Sequence, residues 1–229
     1  MRLSPSCIPL LLAPCVASAV DDVKVHFLDT DKPGAYAFTV TGTVDAPPLA
    51  VRHVVLHACA FKDRYAYIDA CVVWQVEGAR AWQYQLMDLP VLSPRDYGIV
   101  RHVVHDLAPD GSGVLRVDFS IDPVLGPAPR SGTVRVRVNE GYYEARGADD
   151  GRRTRLSYQT TIAPGGYVPV WVAKLAARRA TPELFGQIEI AARELAASGK
   201  SEVPVQGTPW HSVRVGPLGL PLATRPAAR

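Results

Sequence analysis

The sequence has few of the features that mark a specialised class of protein. It carries 25 Lys and Arg against 22 Asp and Glu, and its formal net charge of +3 is too small for the basic footprint of a dedicated nucleic-acid binder. It contains neither the G-x-S-x-G motif of a serine nucleophile nor the H-E-x-x-H motif of a zinc peptidase, and no internal repeat. What remains is an ordinary composition with 48% hydrophobic residues, enough to build the core of a globular domain.

The N-terminus lacks an apolar run long enough to span a bilayer, because Pro9 and Pro14 interrupt it. Ala17-Ser18-Ala19 offers small side chains at the two positions that a signal peptidase reads. We therefore expect residues 1–19 to be a signal peptide cleaved after Ala19, and the mature protein to be secreted or periplasmic. Lipidation at Cys15 is the alternative, but a proline directly before the cysteine fits that processing site poorly.

Cysteine is scarce, and only Cys59 and Cys71 lie beyond the predicted signal peptide. An even pair of thiols in an oxidising compartment is typical of a disulfide. Two unpaired, buried thiols are the alternative, because a sequence does not supply the Cβ geometry that a bridge needs. The sequence therefore leaves the pairing open.

Alternating apolar residues and turn signals predict a series of antiparallel strands. We expect them at Val23–Phe27, Tyr36–Val44, Cys71–Val76, Ala81–Met87, Tyr97–Leu107, Val114–Ile121, Gly132–Arg146 and Arg152–Ile162. A short helix is expected after Asp45-Ala46-Pro47-Pro48, and a long amphipathic helix after Pro169, with Pro182 producing a kink or a second helix. Strands followed by one long helix predict an α+β fold in which a strongly bent sheet surrounds the helix.

The C-terminal residues 198–229 are rich in Pro and Gly and show no periodicity. Such a segment cannot bury enough apolar surface to offset the entropy of ordering it. We therefore expect a disordered tail after a folded domain that spans residues 20–197.

Two charged residues fall on strand faces that are otherwise apolar. If the turn of its hairpin is centred on Asp110, Arg101 lies opposite Phe119, and Glu140 alternates with valines and Tyr142. A guanidinium on an apolar face costs several kcal/mol unless it is paired and hydrogen-bonded. One interpretation is an Arg101–Glu140 pair that only fixes the sheet register, and the other is an anchor for the polar end of a ligand.

Large apolar side chains on the predicted strand faces and on one stripe of the long helix would line a cavity if one exists. They are Trp74, Trp82, Tyr84, Ile99, Val103, Phe119, Val136, Tyr142, Tyr158, Trp171 and Phe185. For any one of them, packing in an ordinary core is the alternative interpretation.

A resemblance to a known family is carried by SPRDYGIVRHVV, GYYEAR and RTRLSYQTTIAPGGYVPVWVAKLAAR. These segments resemble the START-type lipid-binding domains of the helix-grip superfamily, with the Arg95-Asp96 strand start and the Gly165-Gly166 to Trp171 segment as the most specific matches. The similarity covers about Val23 to Ala197. It implies a helix-grip (START/Bet v 1-like) fold, in which a curved antiparallel sheet wraps around a long C-terminal helix. It also implies a hydrophobic tunnel between sheet and helix, with Arg101 inside it.

The function that we expect is binding of a lipid or other hydrophobic small molecule, extending to transfer between membranes, by a monomer that needs no cofactor and no covalent chemistry. The alternative is an enzyme on the same scaffold, a cyclase or hydrolase, in which Glu140, Arg101 and Tyr142 would be the polar groups. The arginines Arg135, Arg137, Arg153 and Arg155 on one hairpin face predict either transient contact with an anionic membrane surface or a solvated strand face.

Overall fold

One antiparallel sheet and one long helix make up most of the described chain. The structure is a computed structural model, which describes residues 20–65, 67–88 and 92–199. The predicted signal peptide and residues 200–229 of the predicted tail lie outside the described residues. The predicted α+β helix-grip class is confirmed by the large sheet and the C-terminal helix.

The strands of the described chain form a single nine-stranded sheet. They are β1 Asp21–Leu28, β2 Tyr36–Val44, β3 Ile68–Glu77, β4 Arg80–Met87, β5 Arg95–His105, β6 Val114–Ile121, β7 Val134–Arg135, β8 Val138–Ala148 and β9 Arg153–Ala163. The order across the sheet is β1-β2-β9-β8-β6-β5-β4-β3, and the short β7 lies parallel to β5. The helices are α1 Pro48–Leu56 and α2 Val170–Ala197, and Ala58–Arg64 forms a 3₁₀ helix after α1.

The β5–β6 hairpin has the register that its turn predicts. Arg101 lies opposite Phe119, and His102 opposite Asp118. In the turn the backbone amide of Ser112 donates to Asp110 Oδ1 at 2.9 Å, and Gly111 adopts the positive φ that this turn requires. The turn chemistry therefore fixes which side chains of β5 and β6 share a face.

One face of the sheet points toward α2, and we call it the inner face. Side chains directly opposite each other in neighbouring antiparallel strands point to the same face. One continuous row across seven strands is Ala81, Arg101, Phe119, Gly141, Thr160, Phe38 and Phe27. The row belongs to the inner face because Gly42, on the same side of β2 as Phe38, lies against the ring of Phe185 in α2.

Helix α2 begins directly after Pro169, whose fixed φ suits a helix start. It continues through Pro182 as one helix, so the second helix predicted as one outcome at that residue does not form. Its nearest neighbours are α1, β2 and β1, so it covers one half of the inner face. No helix in the described part of the chain combines the length and apolar character needed to cross a membrane.

The buried apolar residues form two separate clusters. The larger joins α1, α2 and the inner face of β2, β6 and β9, with Val40, Val54, Leu115, Leu156 and Phe185 almost completely buried. The smaller consists of Tyr97, Ile99 and Val136, with Met87, Ile121 and Ile162 packed against them. The two clusters meet at the partly buried Ile162, which packs against both.

Replacing Gly141 with alanine should severely destabilise the fold. A Cβ at Gly141 would collide with the backbone carbonyl oxygen of Gln159 on β9, which cannot move without breaking the ladder. We expect the free energy of unfolding to fall by about 3 kcal/mol, as for other overpacked sites. Gly147→Ala in the same strand is the control, because its Cβ would meet only ordinary contacts. Urea unfolding measures both, and equal stability of the two variants would contradict this account.

Candidate functional site

Arg101 lies on the inner face, as predicted, with only 3% of its surface exposed. Its Nη2 donates to the carbonyl oxygen of Val55 at 2.7 Å, and its Nη1 to that of Leu56 at 3.3 Å and to Gln83 Oε1 at 3.4 Å. Val55 and Leu56 end α1, where the last carbonyls have no partner within the helix. A cation there also interacts favourably with the helix dipole. Arg101 therefore caps α1 from the sheet.

This arrangement replaces the predicted ion pair between Arg101 and Glu140. The Glu140 carboxylate accepts a hydrogen bond from Lys32 and is partly exposed. The prediction is wrong because the strand pattern changes phase. Val136 and Arg137 lie between β7 and β8 outside either strand, so the alternation restarts at Val138 with the opposite parity.

The phase change also moves the tyrosines of β8. Tyr142, predicted to line the cavity, lies on the outer face, where the Arg116 guanidinium is 3.5 Å from the centre of its ring. Tyr143 takes the inner position instead, directly opposite Val117 and Tyr158. Asn139 is likewise turned inward and accepts a hydrogen bond from the Thr160 hydroxyl at 3.1 Å.

The aromatic residues of β3 and β4 lie on the other face from Arg101. Arg101 is opposite Ala81, whereas Trp82 and Tyr84 are opposite Val100 and Gly98. The ring of Trp74 contacts that of Tyr84 at 5.7 Å between centroids. The prediction that Trp74, Trp82 and Tyr84 line a cavity with Arg101 is therefore wrong: alternation alone does not say which face is the inner one.

The outer face at β4 and β5 is covered by the segment 122–135, which we call the strap. A Cβ at Gly98 would collide with the carbonyl oxygen of Leu125 in the strap. Below it, the Tyr84 hydroxyl donates to Asp96 at 3.0 Å, and Arg135 binds the same carboxylate through Nε and Nη2 at 2.6 and 2.8 Å. Burial raises the pKa of Tyr84 to about 12, so its hydroxyl remains a donor at neutral pH. The apolar outer face is thus internal.

The remaining predicted cavity residues divide between the inner face and the surface. Ile99, Val103, Phe119 and Tyr158 are on the inner face, Val136 packs against Ile99, and Phe185 belongs to the buried side of α2. Trp171 is wrong as a cavity residue, because 70% of its surface is exposed. The buried stripe of α2 follows Ala173, Ala177 and Thr181 in steps of four, which leaves Trp171 on the outside.

Several inner-face groups were missed by the sequence analysis, above all the amides of Gln83 and Gln85. They lie against Cys71 Sγ at 3.3 and 3.5 Å, and Gln85 accepts a hydrogen bond from the Tyr97 hydroxyl. Cys71 forms a disulfide with Cys59, which ties the 3₁₀ helix after α1 to β3 and resolves the alternative left open above. The sequence did contain a signal for the two glutamines. They alternate with Trp82 and Tyr84 along β4, so they must lie on the opposite face of the strand.

A group of phenols surrounds these polar residues. The rings of Tyr143 and Tyr158 stack at 4.6 Å, and Phe119 stacks on Tyr158 at 6.0 Å. Burial raises the pKa of Tyr143 to about 12, partly opposed by the charge of Arg101, and burial also raises the pKa of Tyr65, Tyr97 and Tyr158. All four therefore keep their protons at neutral pH. Tyr65, Tyr143 and Tyr158 are nevertheless only half-buried, so they border space that protein atoms do not fill.

Two depressions in the described surface lie near these strands. The larger, of about 670 Å³, is on the outer face of β5, β6 and β8 and is lined by charged side chains, including Asp106, Arg116 and Glu144. The smaller, of about 260 Å³, lies where β6 and β8 diverge, and it reaches the inner-face residues Ile121 and Asn139. Neither is lined by α2.

Comparison with known proteins identifies the class of fold. The structure is similar to the STAR-related lipid transfer protein of Xanthomonas axonopodis, with a TM-score of 0.60 and 23% identity over 76% of this chain and 93% of that one. Human STARD10 has a TM-score of 0.59 and 14% identity over 82% of this chain and 80% of that one. The chain therefore has the fold of the START-related lipid-transfer domains, which confirms the predicted resemblance for the fold.

The same fold is found in an enzyme, the ZhuI aromatase/cyclase of Streptomyces sp. R1128, with a TM-score of 0.50 and 14% identity over 72% of this chain and 98% of that one. An uncharacterized protein of Pseudomonas aeruginosa is 33% identical over 111 residues, which are 47% of this chain and 52% of that protein. The chain thus spans about half the length of the curated relative it matches. No protein-family model matches the sequence.

Replacing Arg101 with glutamine should lower stability, because the last carbonyls of α1 lose their buried donor. We expect a loss of about 2 kcal/mol, the cost of leaving buried polar groups without a partner. Arg80→Gln, at an exposed position of the neighbouring strand, is the matched control and should change stability little. Urea unfolding followed by circular dichroism measures both variants. An Arg101→Gln protein as stable as Arg80→Gln would contradict the capping role.

Proposed function

We propose that this protein binds a lipid or other hydrophobic small molecule in a hollow on the inner face of its sheet. The observation that supports the proposal is the uneven cover of that face. Helix α2 packs on α1, β1 and β2, whereas only the short α1 contacts β8 and β9 among the described helices, and Tyr143 and Tyr158 face inward from those strands beside Phe119 of β6. Tyr143 and Tyr158 keep accessible surface there, as side chains that line a binding cavity do.

The chemistry of the inner face suits an apolar molecule with a polar end. Aromatic rings and the side chains of Ile99 and Val103 offer apolar contact, and moving about 200 Å² of ligand surface out of water yields about 5 kcal/mol. The amides of Gln83 and Gln85 and the tyrosine hydroxyls offer directed hydrogen bonds at one side of that surface. No bond is made or broken in this function.

Shortening Phe119 should weaken ligand binding. The Phe119→Ala variant loses a ring that stacks on Tyr158, and we expect the dissociation constant of the neutral dye Nile red to rise about tenfold. Val104→Ala on the outside of β5 shortens an exposed apolar side chain and should leave binding unchanged. Fluorescence titration of both folded variants measures the effect.

Native mass spectrometry of the purified protein, with solvent extraction of the molecule that copurifies, is the direct test of the proposal. A hydrophobic molecule in stoichiometric amount would support it. A protein that carries no such molecule, and that binds Nile red equally well as Phe119→Ala and as wild type, would overturn it.

We also propose that the ligand is exchanged at a membrane surface and that the start of α2 makes the contact. Tyr167, Trp171 and Leu175 are exposed at the end of the sheet where β9 leads into α2. Lys174 and Arg178 lie beside them, over the ring of Phe27. Aromatic rings with a basic border suit the interface of an anionic bilayer. This surface is an alternative to the contact predicted through Arg135, Arg137, Arg153 and Arg155, of which Arg135 is engaged by Asp96.

Removing the Trp171 ring should weaken binding to vesicles. We expect Trp171→Ala to lower the partition constant on phosphatidylglycerol vesicles about tenfold, because most of the indole is available for transfer. Val124→Ala, which shortens an exposed apolar side chain in the strap, should bind as wild type does. Co-sedimentation measures both proteins, with phosphatidylcholine vesicles to test the charge dependence. Equal partitioning of the two variants would contradict a membrane contact at Trp171.

The location that fits this function is outside the cytoplasm, in keeping with the predicted signal peptide. The disulfide between Cys59 and Cys71 supports an oxidising compartment. The cyclase of similar fold keeps the enzyme alternative open. That alternative needs Glu140 and Tyr142 beside Arg101, but both side chains lie on the outer face. Binding without chemistry is therefore the function that the inner face supports best.

A further inference from the structure

Arg95, the first residue of β5, is a buried cation with an incomplete set of partners. Only 4% of its surface is exposed. Its Nη1 donates to the carbonyl oxygen of Ser93. Its Nε is buried and has no hydrogen-bond partner within the described residues. Burial lowers the pKa of Arg95, which reflects a charge held partly out of water without compensation.

Two other arginines of low exposure show what this side chain lacks. Arg52 binds Asp106 through Nε and Nη2 at 2.5 and 2.6 Å, and Arg135 binds Asp96 through the same two nitrogens at 2.6 and 2.8 Å. This side-on fork matches the two oxygens of a carboxylate or phosphate. In Arg95, neither nitrogen of the fork has a hydrogen bond to the described part of the chain.

The position of Arg95 connects it with the proposed hollow. Arg95 is opposite Met87 and follows the alternation of Tyr97 and Ile99, so it starts the inner-face row of β5. The smaller apolar cluster, to which Met87, Tyr97 and Ile99 belong, begins directly beside it. A Cβ at Gly166 would lie 3.9 Å from its Nη2, so the guanidinium lies beneath the turn that leads from β9 to α2.

We propose that the ligand is an amphipathic anion and that Arg95 holds its carboxylate or phosphate group, an inference that rests on the proposed function. The head group binds the fork of Nε and Nη2 under the Gly165-Gly166 turn, and the apolar chain extends along the smaller cluster toward Phe119 and Tyr158. The anion supplies the partner that the buried guanidinium otherwise lacks. Arg101 does not compete for this role, because the carbonyls of α1 engage its guanidinium.

The test compares probes that differ only in the charge of the head group. cis-Parinaric acid should bind the wild-type protein about tenfold or more tightly than its methyl ester, the size expected for a charged hydrogen bond. Arg95→Gln should remove this preference and bind the acid as weakly as the ester, and Arg95→Lys should keep part of it. Arg130→Gln, which removes an exposed arginine from the strap, is the control and should preserve the full preference.

The outcomes separate this inference from the proposed function. If wild type binds acid and ester equally, or Arg95→Gln keeps the preference, the inference is wrong while hydrophobic binding stands. If neither probe binds, both fail. Should Arg95→Gln not fold, the wild-type ratio and Arg95→Lys decide. Competition of dodecanoate and dodecyl phosphate with cis-parinaric acid identifies the preferred head group. If inorganic phosphate displaces the probe as effectively as these two compounds do, the proposal that the ligand is amphipathic is wrong.

Discussion

The buried guanidinium of Arg101 joins the end of α1 to the middle of the sheet, and the arrangement of the inner face depends on this contact. A cation is stable at that depth only because the carbonyls of Val55 and Leu56 and the amide of Gln83 accept its hydrogen bonds. The contact holds α1 over β8 and β9, beside α2, which packs on β1 and β2. The inward rings of Tyr143 and Tyr158 remain only half-buried beneath this short helix, and the proposed function places the ligand beside them.

Most of the fold follows from local sequence signals. The β5–β6 hairpin has the predicted register because Asp110 and Gly111 define one turn, and a turn fixes all the pairs that follow it. Strand β2 has the bounds that its alternating residues predict, and helices α1 and α2 start at the prolines that predict them. The position of Arg101 on the inner face was predictable for the same reason, because the face of each side chain in β5 can be counted from a well-defined turn.

The candidate site was less predictable for two reasons. The alternation of side chains between the two faces cannot be counted across a break in a strand, and two apolar faces look alike in a sequence. The gap at Val136 and Arg137 reversed the faces of β8 and exchanged Glu140 and Tyr142 for Asn139 and Tyr143. On β4 the aromatic residues pack under the strap and the glutamines face the interior. A pattern of hydrophobicity predicts burial, whereas the identity of the covering segment is a property of the whole fold.

The strap has a consequence for how this protein can change over evolutionary time. Where it crosses β4 and β5, both sides of the sheet are internal, and Gly98 has no room for a methyl group. The buried residues of those strands, such as Trp82, Tyr84, Tyr97 and Ile99, are therefore constrained by packing, while the outer surface of β1, β2 and β9 borders water. Drift among descendants of this sequence should therefore accumulate on the uncovered side, and the buried positions of β4 and β5 should tolerate the fewest changes.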